Sequence, residues 1–174
     1  MDKFKEDIGF ILIEGEYWPR DDRLKVYLDV CCLCRPFDNQ QSHRIRMETE
    51  AVIAILGRCM ADWVLVDSEV IDYEIAQLAD EERAKTVKNL LNVSQERVYI
   101  NTNIIKRARR IHELGIDTFD ALHIASAESV DAVFITSDDA LIRGIKSHQE
   151  TSSIVIGNPV QWLMEVTDGN KNTQ

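Results

Sequence analysis

Residues 24–37 read LKVYLDVCCLCRPF, and how they are read decides the fold. Val26 and Leu28 are apolar and Tyr27 is a β-prone aromatic, so Leu24–Leu28 is expected to be a buried strand. The run then breaks on Asp29, and Cys31, Cys32 and Cys34 follow at once. A carboxylate placed where a core strand would continue costs several kcal/mol unless a partner offsets it. The nature of that partner is the question the rest of the chain has to answer.

From this strand onward, apolar strands alternate with helical patterns. Ser42 caps an expected helix to Leu56, with Ile45, Val52 and Leu56 on its apolar stripe and Gly57 as terminator. WVLV (63–66) reads as a strand apolar on both faces, and SEVIDYEIAQL (68–78) as a helix, with helical character continuing over Glu81–Leu91. Thr102–Leu114, closed by Gly115, and Thr118–Ala127 read as helices, and AVFIT (132–136) as a strand. A short helix Asp139–Ile145, a strand SIVIG (153–157) and a helix Val160–Val166 complete the pattern. Continuous apolar strands alternating with helices predict an α/β fold: a three-layer α/β/α domain with a central, mostly parallel sheet.

The chain of 174 residues is 45% hydrophobic and 29% charged, enough for one globular domain with a sizeable core. The expected division is an N-terminal extension over 1–23, the α/β domain over 24–167 and a tail over 168–174. Within the extension, the apolar run Ile8–Ile13 reads as an extra edge strand, a partner-binding arm or an unstructured tail. No apolar run approaches the ~18 residues of a membrane span. No charged segment followed by a long apolar stretch opens the chain, so no membrane partner and a cytoplasmic location are expected. The crowded cysteines fit a reducing compartment. A net charge of −10 argues against gripping nucleic acid with a basic coat, yet leaves open a nuclease that carries its own acid cluster.

In open parallel sheets, ligands bind beyond the carboxyl ends of the strands. Asp29 follows the first strand there, and Asp138 comes just after AVFIT. Glu74 falls among Ile71, Ile75 and Leu78, in the middle of a predicted apolar face, while Asp72 and Glu69 point to solvent. Asp120 lies in the first turn of TFDALHIASA. Each has a bland alternative: a turn for Asp29, the helix dipole for Asp120, a bent stem for Glu74, helix opening for Asp138 and Asp139. Four acids converging on one pocket, however, repel one another unless a cation sits among them. Hard oxygen ligands select Mg²⁺ or Mn²⁺ over zinc.

These residues resemble the PIN domain, a family of metal-dependent ribonucleases that includes VapC-like toxins of toxin–antitoxin pairs. The likeness covers about residues 24–166: VYLDVCCL gives Asp29, VDSEVIDYEI gives Glu74, FDALHIASA gives Asp120, and FITSDDAL gives Thr136 and Asp138. It implies a PIN-like fold and a metal-dependent endoribonuclease in which Asp29, Glu74, Asp120 and Asp138 are both catalytic and metal-binding. Thr136 and Asp139 support them, Mg²⁺ or Mn²⁺ is the cofactor, and RNA is the substrate. The likeness also implies the toxin component of a toxin–antitoxin system, a homodimer and an antitoxin protein as partner. Such domains often carry Asn or Ser at the position held here by Cys31, which favours the alternative of a weak or inactive module binding RNA or protein.

The remaining features divide as follows. A zinc site from the cysteines and His43 lacks the usual paired spacing. A receiver-type phosphoacceptor would want a lysine just after a late strand, and SIVIGNPV has none. His123, one turn after Asp120, either borders the pocket or packs, with packing the commoner case, and His112, on the row of Ile105 and Ala108, reads as core. IIKRARRIHEL puts Ile104, Ala108 and Ile111 on one face and Lys106, Arg107 and Arg110 on a solvated one. Arg35, Arg44 and Arg46 are better placed to bind substrate, although Arg44 and Arg46 have Glu48 and Glu50 four residues on to pair with.

Overall fold

The structure, a computed structural model, describes residues 10–13, 16–19 and 21–169. At the N-terminus, β1 (Phe10–Ile13) and β2 (Glu16–Pro19) pair antiparallel in a two-stranded sheet of their own. This hairpin is separate from the central sheet, so the run does not add an edge strand to it; Ile8, where the apolar run begins, lies outside the described residues. The central sheet comprises β3 (Lys25–Leu28), β4 (Val64–Ser68), β5 (Glu96–Val98), β6 (Val133–Ile135) and β7 (Ile156–Gly157). Its spatial order is β5-β4-β3-β6-β7 and every pairing is parallel.

The helices that make the connections are α1 (Val30–Cys34), α2 (His43–Ala61), α3 (Glu69–Ala76) and α4 (Glu81–Leu90). They are followed by α5 (Thr102–His112), α6 (Thr118–Glu128), α7 (Asp139–Lys146) and α8 (Pro159–Gly169). α6 packs on both α3 and α5, and α2 packs on α8, giving the three-layer α/β/α arrangement. Covered on both sides, the central strand loses its alternation: Val26, Tyr27 and Leu28 are all fully buried. Chain order reverses beside β3, which has β4 on one side and β6 on the other. That reversal opens a crevice at the carboxyl edge of the sheet.

Several boundaries differ from expectation for physical reasons. Gly57 does not end α2, which runs on to Ala61 with Asp62 as its C-cap. A mid-helix glycine costs only about 1 kcal/mol against alanine, and the buried Ile55, Leu56 and Cys59 around it outweigh that. The strand β5 has no apolar signature and is held by side chains from distant segments. Arg97 pairs with Asp67 and Asp72, and Lys25 Nζ lies 2.8 Å from Glu96. Asp72 is therefore tied to Arg97, and to Lys88 at 3.4 Å, rather than solvated. His112 is exposed, its Nδ1 2.7 Å from the Ile116 carbonyl, not in the core. Gly115, at φ 87°, closes α5 as expected in a left-handed conformation that suits glycine.

Glu48 is the most buried acid of the second layer, 1% exposed on α2. It accepts from Arg35 Nε at 2.5 Å, Arg44 Nε at 2.8 Å and Asn158 Nδ2 at 3.0 Å, so it joins α1, α2 and the start of α8. Removing one partner of such a buried charge leaves the others uncompensated. Glu48→Ala is expected to lower stability by about 3 kcal/mol, read as a lower urea midpoint with an unchanged slope; a midpoint like wild type would show the arginines re-solvating without cost.

Candidate metal centre at the carboxyl edge of the sheet

The site begins where β3 and β6 end side by side. Tyr27 is in register with Phe134 and Leu28 with Ile135, and the Asp29 N–H continues the ladder by donating to the Ile135 carbonyl at 2.9 Å. Asp29, 6% exposed, is held through one oxygen: Thr136 Oγ1 donates to its Oδ2 at 2.7 Å, and the Cys31 thiol donates to the same oxygen at 3.1 Å. Cys31 Sγ also lies 3.3 Å from Thr136 Oγ1 and accepts from the Ser137 N–H at 3.4 Å. The carboxylate that interrupts the apolar run is thus partnered in part by the protein itself.

Glu74 comes to the same place from α3, which starts at the carboxyl end of β4 with Ser68 as its N-cap, Oγ accepting from Ile71 N–H at 3.1 Å. Its side chain is 39% exposed, so it stands at the open edge and not in the middle of a buried face. His123 Nε2 lies 2.6 Å from Glu74 Oε2. One ligand atom each of Asp29, Glu74 and His123 lie within 4.8 Å of one another, a group able to hold a metal ion. Sequence reasoning favoured packing for His123 over a place at the pocket, which its position one turn after Asp120 suggested; its ring nitrogen lies beside the Asp29 and Glu74 oxygens.

Asp120 and Asp138 meet in a neighbouring shallow cavity of about 200 Å³ that Asp117, Gly115, Ile116, Ala140 and Leu141 also line. Burial pushes the Asp120 carboxyl up to about 6, with the charges of Asp29, Asp117 and Asp138 adding to the rise. Asp120 and Asp138 stand outside the group of Asp29, Glu74 and His123, and the Asp29 charge reaches Asp120 as a lesser contribution to its raised carboxyl. Asp117 was not singled out from the sequence; it caps α6, accepting from Phe119 N–H at 2.9 Å. Asp138 is exposed and caps α7: both its bonds, from Ala140 N–H at 2.8 Å and Leu141 N–H at 3.0 Å, fall on Oδ1. Its bland reading as a helix opener is therefore realised, with Oδ2 left over.

The supporting residues fall in place around this edge. Thr136 Oγ1 bonds Asp29 and accepts from Asp138 N–H at 3.1 Å, joining two acids through one hydroxyl. Asp139 Oδ2 accepts from Arg44 Nη1 at 2.8 Å, while Arg44 Nη2 donates to the Ser137 carbonyl at 2.9 Å. Arg35 is committed to Glu48 and Asp38. Arg46 is exposed and makes no salt bridge among the described residues, its Nη2 lying 3.1 Å from His43 Nδ1. Of the three arginines expected at the substrate, two are thus held internally.

The sequence profile of the PIN domain matches residues 26–145. Comparison with curated proteins finds no match. Among solved structures, a chain of FitAcB from Neisseria gonorrhoeae aligns with a TM-score of 0.52 at 15% identity, covering 77% of this chain and 97% of that one. A chain of VapBC2 from Rickettsia felis, bound to a DNA fragment from their promoter, aligns at 0.54 and 11%, covering 78% and 98%. A chain of VapBC-1 from nontypeable Haemophilus influenzae aligns at 0.54 and 15%, also covering 78% and 98%. At these identities the likeness speaks for the fold alone. The matched profile spans more than half of the chain and includes Asp29, Glu74, Asp120 and Asp138, and this protein belongs to the PIN domain family.

Proposed function

We propose that this PIN-family nuclease is a Mg²⁺- or Mn²⁺-dependent endoribonuclease, with Asp29, Glu74, Asp120 and Asp138 holding the ion and Thr136 and Asp139 supporting them. The observation that carries the reading is a crowd of acids sharing Asp29: its ligand atom lies within 4.8 Å of those of Glu74 and His123, and its charge helps push Asp120 up to about 6. Carboxyl groups raised by burial and like charge gain most from a hard divalent cation, so the donor set fits one. The chemistry such an ion supplies when bound is Lewis acidity, which activates water near neutral pH and offsets charge on a phosphodiester.

The chain's own residues prepare the edge for that ion. Three of the acids have one oxygen tied and the other left over: Asp29 by Thr136 and Cys31, Glu74 by His123, Asp138 by the first amides of α7. Arg44 fixes the turn between β6 and α7 by binding Asp139 and the Ser137 carbonyl at once. Arg46, exposed and without an ion pair, is the arginine of the three best suited to a substrate phosphate. The VapC-like motifs support a toxin held by an antitoxin protein, acting as a homodimer. A cytoplasmic location accords with four free thiols, and no helix among the described residues is long and apolar enough to cross a membrane.

Purified protein with labelled RNA is expected to cut in Mn²⁺ and to stop in EDTA. Asp29→Asn is expected to lower the rate by more than the roughly 10–100-fold typical of a residue that only orients a ligand. RNA binding without cleavage in any divalent ion would instead favour a binding module. Acidity adds a second check, because the raised Asp120 carboxyl takes up a proton near pH 6 and a protonated carboxyl is a poor ligand. Mn²⁺ affinity should therefore fall steeply as the pH drops through about 6.

The same shift has a sign for stability. A carboxyl raised from 3.8 to about 6 on folding favours the folded state below pH 4, and that contribution is lost as the pH rises through about 6. Asp120→Asn removes the loss. Discounted for partial exposure, the gain is about 1 kcal/mol, or roughly 2–4 °C in metal-free melting temperature at pH 7.5, vanishing near pH 4. An unchanged melting temperature at pH 7.5 would mean that neither burial nor the neighbouring acids raise the Asp120 carboxyl.

A further inference from the structure

Three buried side chains link the base of α3 to the carboxylate of Glu74. The Ile71 N–H donates to Ser68 Oγ at 3.1 Å, Ser68 Oγ lies 2.6 Å from Tyr27 Oη, and Tyr27 Oη lies 2.8 Å from His123 Nδ1. His123 Nε2 then meets Glu74 Oε2 at 2.6 Å. Ser68 and Tyr27 are fully buried and His123 is 1% exposed, so water does not complete any of these bonds.

Counting protons sets the polarity. A carboxylate only accepts, so the proton between His123 and Glu74 sits on Nε2. The other ring nitrogen then offers a lone pair, which takes the one proton of the Tyr27 hydroxyl 2.8 Å away. Having given its proton, Tyr27 accepts from Ser68, whose oxygen accepts in turn from the Ile71 amide. Each of the four protons then meets one acceptor. Reversed, Tyr27 would donate to Ser68 and leave the Ser68 proton without a partner in a fully buried place, at the cost of an unmade hydrogen bond.

We propose that His123 is the positioning residue for Glu74: the Ser68–Tyr27–His123 relay keeps an N–H on Oε2 and leaves Oε1 as the oxygen for the divalent ion. The inference rests on the metal-binding reading above and deepens it. It also assigns His123 a place outside the ligand set, although its ring nitrogen lies within 4.8 Å of the Asp29 and Glu74 oxygens. The relay joins three of the four elements that carry the acids. Tyr27 is on β3 with Asp29, His123 is on α6 with Asp120, and Ser68 caps the helix of Glu74.

The test uses the full chain with ¹⁵N-labelled histidine. A long-range ¹H–¹⁵N spectrum of the metal-free protein should show His123 protonated on Nε2 alone, unchanged when diamagnetic Mg²⁺ is added. Mn²⁺ titration should show His123→Leu binding roughly 10–100-fold more weakly, with wild-type-like circular dichroism. His123→Gln, whose amide N–H takes the place of Nε2–H, should remain within about threefold of wild type. Should the leucine variant not fold, Tyr27→Phe, which removes only the hydroxyl, should weaken Mn²⁺ by roughly three- to tenfold. An Nδ1–H tautomer, loss of the Nε2 proton on adding Mg²⁺, a glutamine variant as weak as leucine, or wild-type affinity in the leucine or phenylalanine variant would each overturn the positioning role. If the wild type itself binds no Mn²⁺, the metal reading falls and the role with it. If the wild type binds and the variants bind equally well, the role alone falls.

Discussion

The parallel pairing of β3 with β6 is the constraint on which the site depends. It brings Asp29 and Thr136, 107 residues apart in the chain, to a 2.7 Å hydrogen bond at the end of neighbouring strands. The register does a second task. With Tyr27 opposite Phe134, the Tyr27 side chain points to the face where α3 and α6 pack, and there it reaches Ser68 and His123. A slip of one residue would turn Tyr27 to the opposite face and sever both contacts. Core packing and site geometry are therefore specified by the same strand.

Acids so close together are tolerated because most are individually anchored. Asp29, Glu74 and Asp138 each surrender one oxygen to a donor from the protein, which offsets part of the desolvation and repulsion. Asp120 makes no hydrogen bond among the described residues, and it is the acid whose carboxyl rises to about 6. The nearby arginines pair with other carboxylates: Arg35 with Glu48 and Asp38, and Arg44 with Glu48 and Asp139. On the proposed function, a polyanionic substrate approaching these acids would need cations bound there, which would tie substrate binding to metal binding in a single electrostatic condition.

Much of this was legible in the sequence because it is local. Strands that are apolar on both faces leave a pattern within a few residues, and so do Asp29 just past the first strand, Asp138 just past AVFIT and Asp120 in the first turn of its helix; Glu74, expected amid an apolar face, stands instead at the open edge. What escaped is made by distant partners. β5 carries Glu96 and Arg97, and nothing near them in the chain announces Lys25 or Asp67. The solvated reading of Asp72 fails for the same reason, its partner being Arg97 across 25 residues. His112 was assigned to the core from the row of Ile105 and Ala108. Ile105 is itself 39% exposed, so that row marks the margin of the apolar face. His123 looked like packing because it does pack, against Tyr27 and Phe134; its two ring nitrogens turn a core residue into a connector.

Cys31 shows how a departure from the family pattern is absorbed. A thiol is a weak donor and a weak acceptor. Here it contacts Asp29 Oδ2 at 3.1 Å, Thr136 Oγ1 at 3.3 Å and the Ser137 N–H at 3.4 Å, so one sulfur spans all three groups. The short bond to Asp29 comes instead from Thr136, at 2.7 Å. Fixing Asp29 is therefore divided between a strong hydroxyl bond that sets its distance and a sulfur that fills the space between strand end and turn. A weaker donor at position 31 is compatible with an anchored Asp29 because the stronger donor comes from β6, through the same strand pairing that builds the edge.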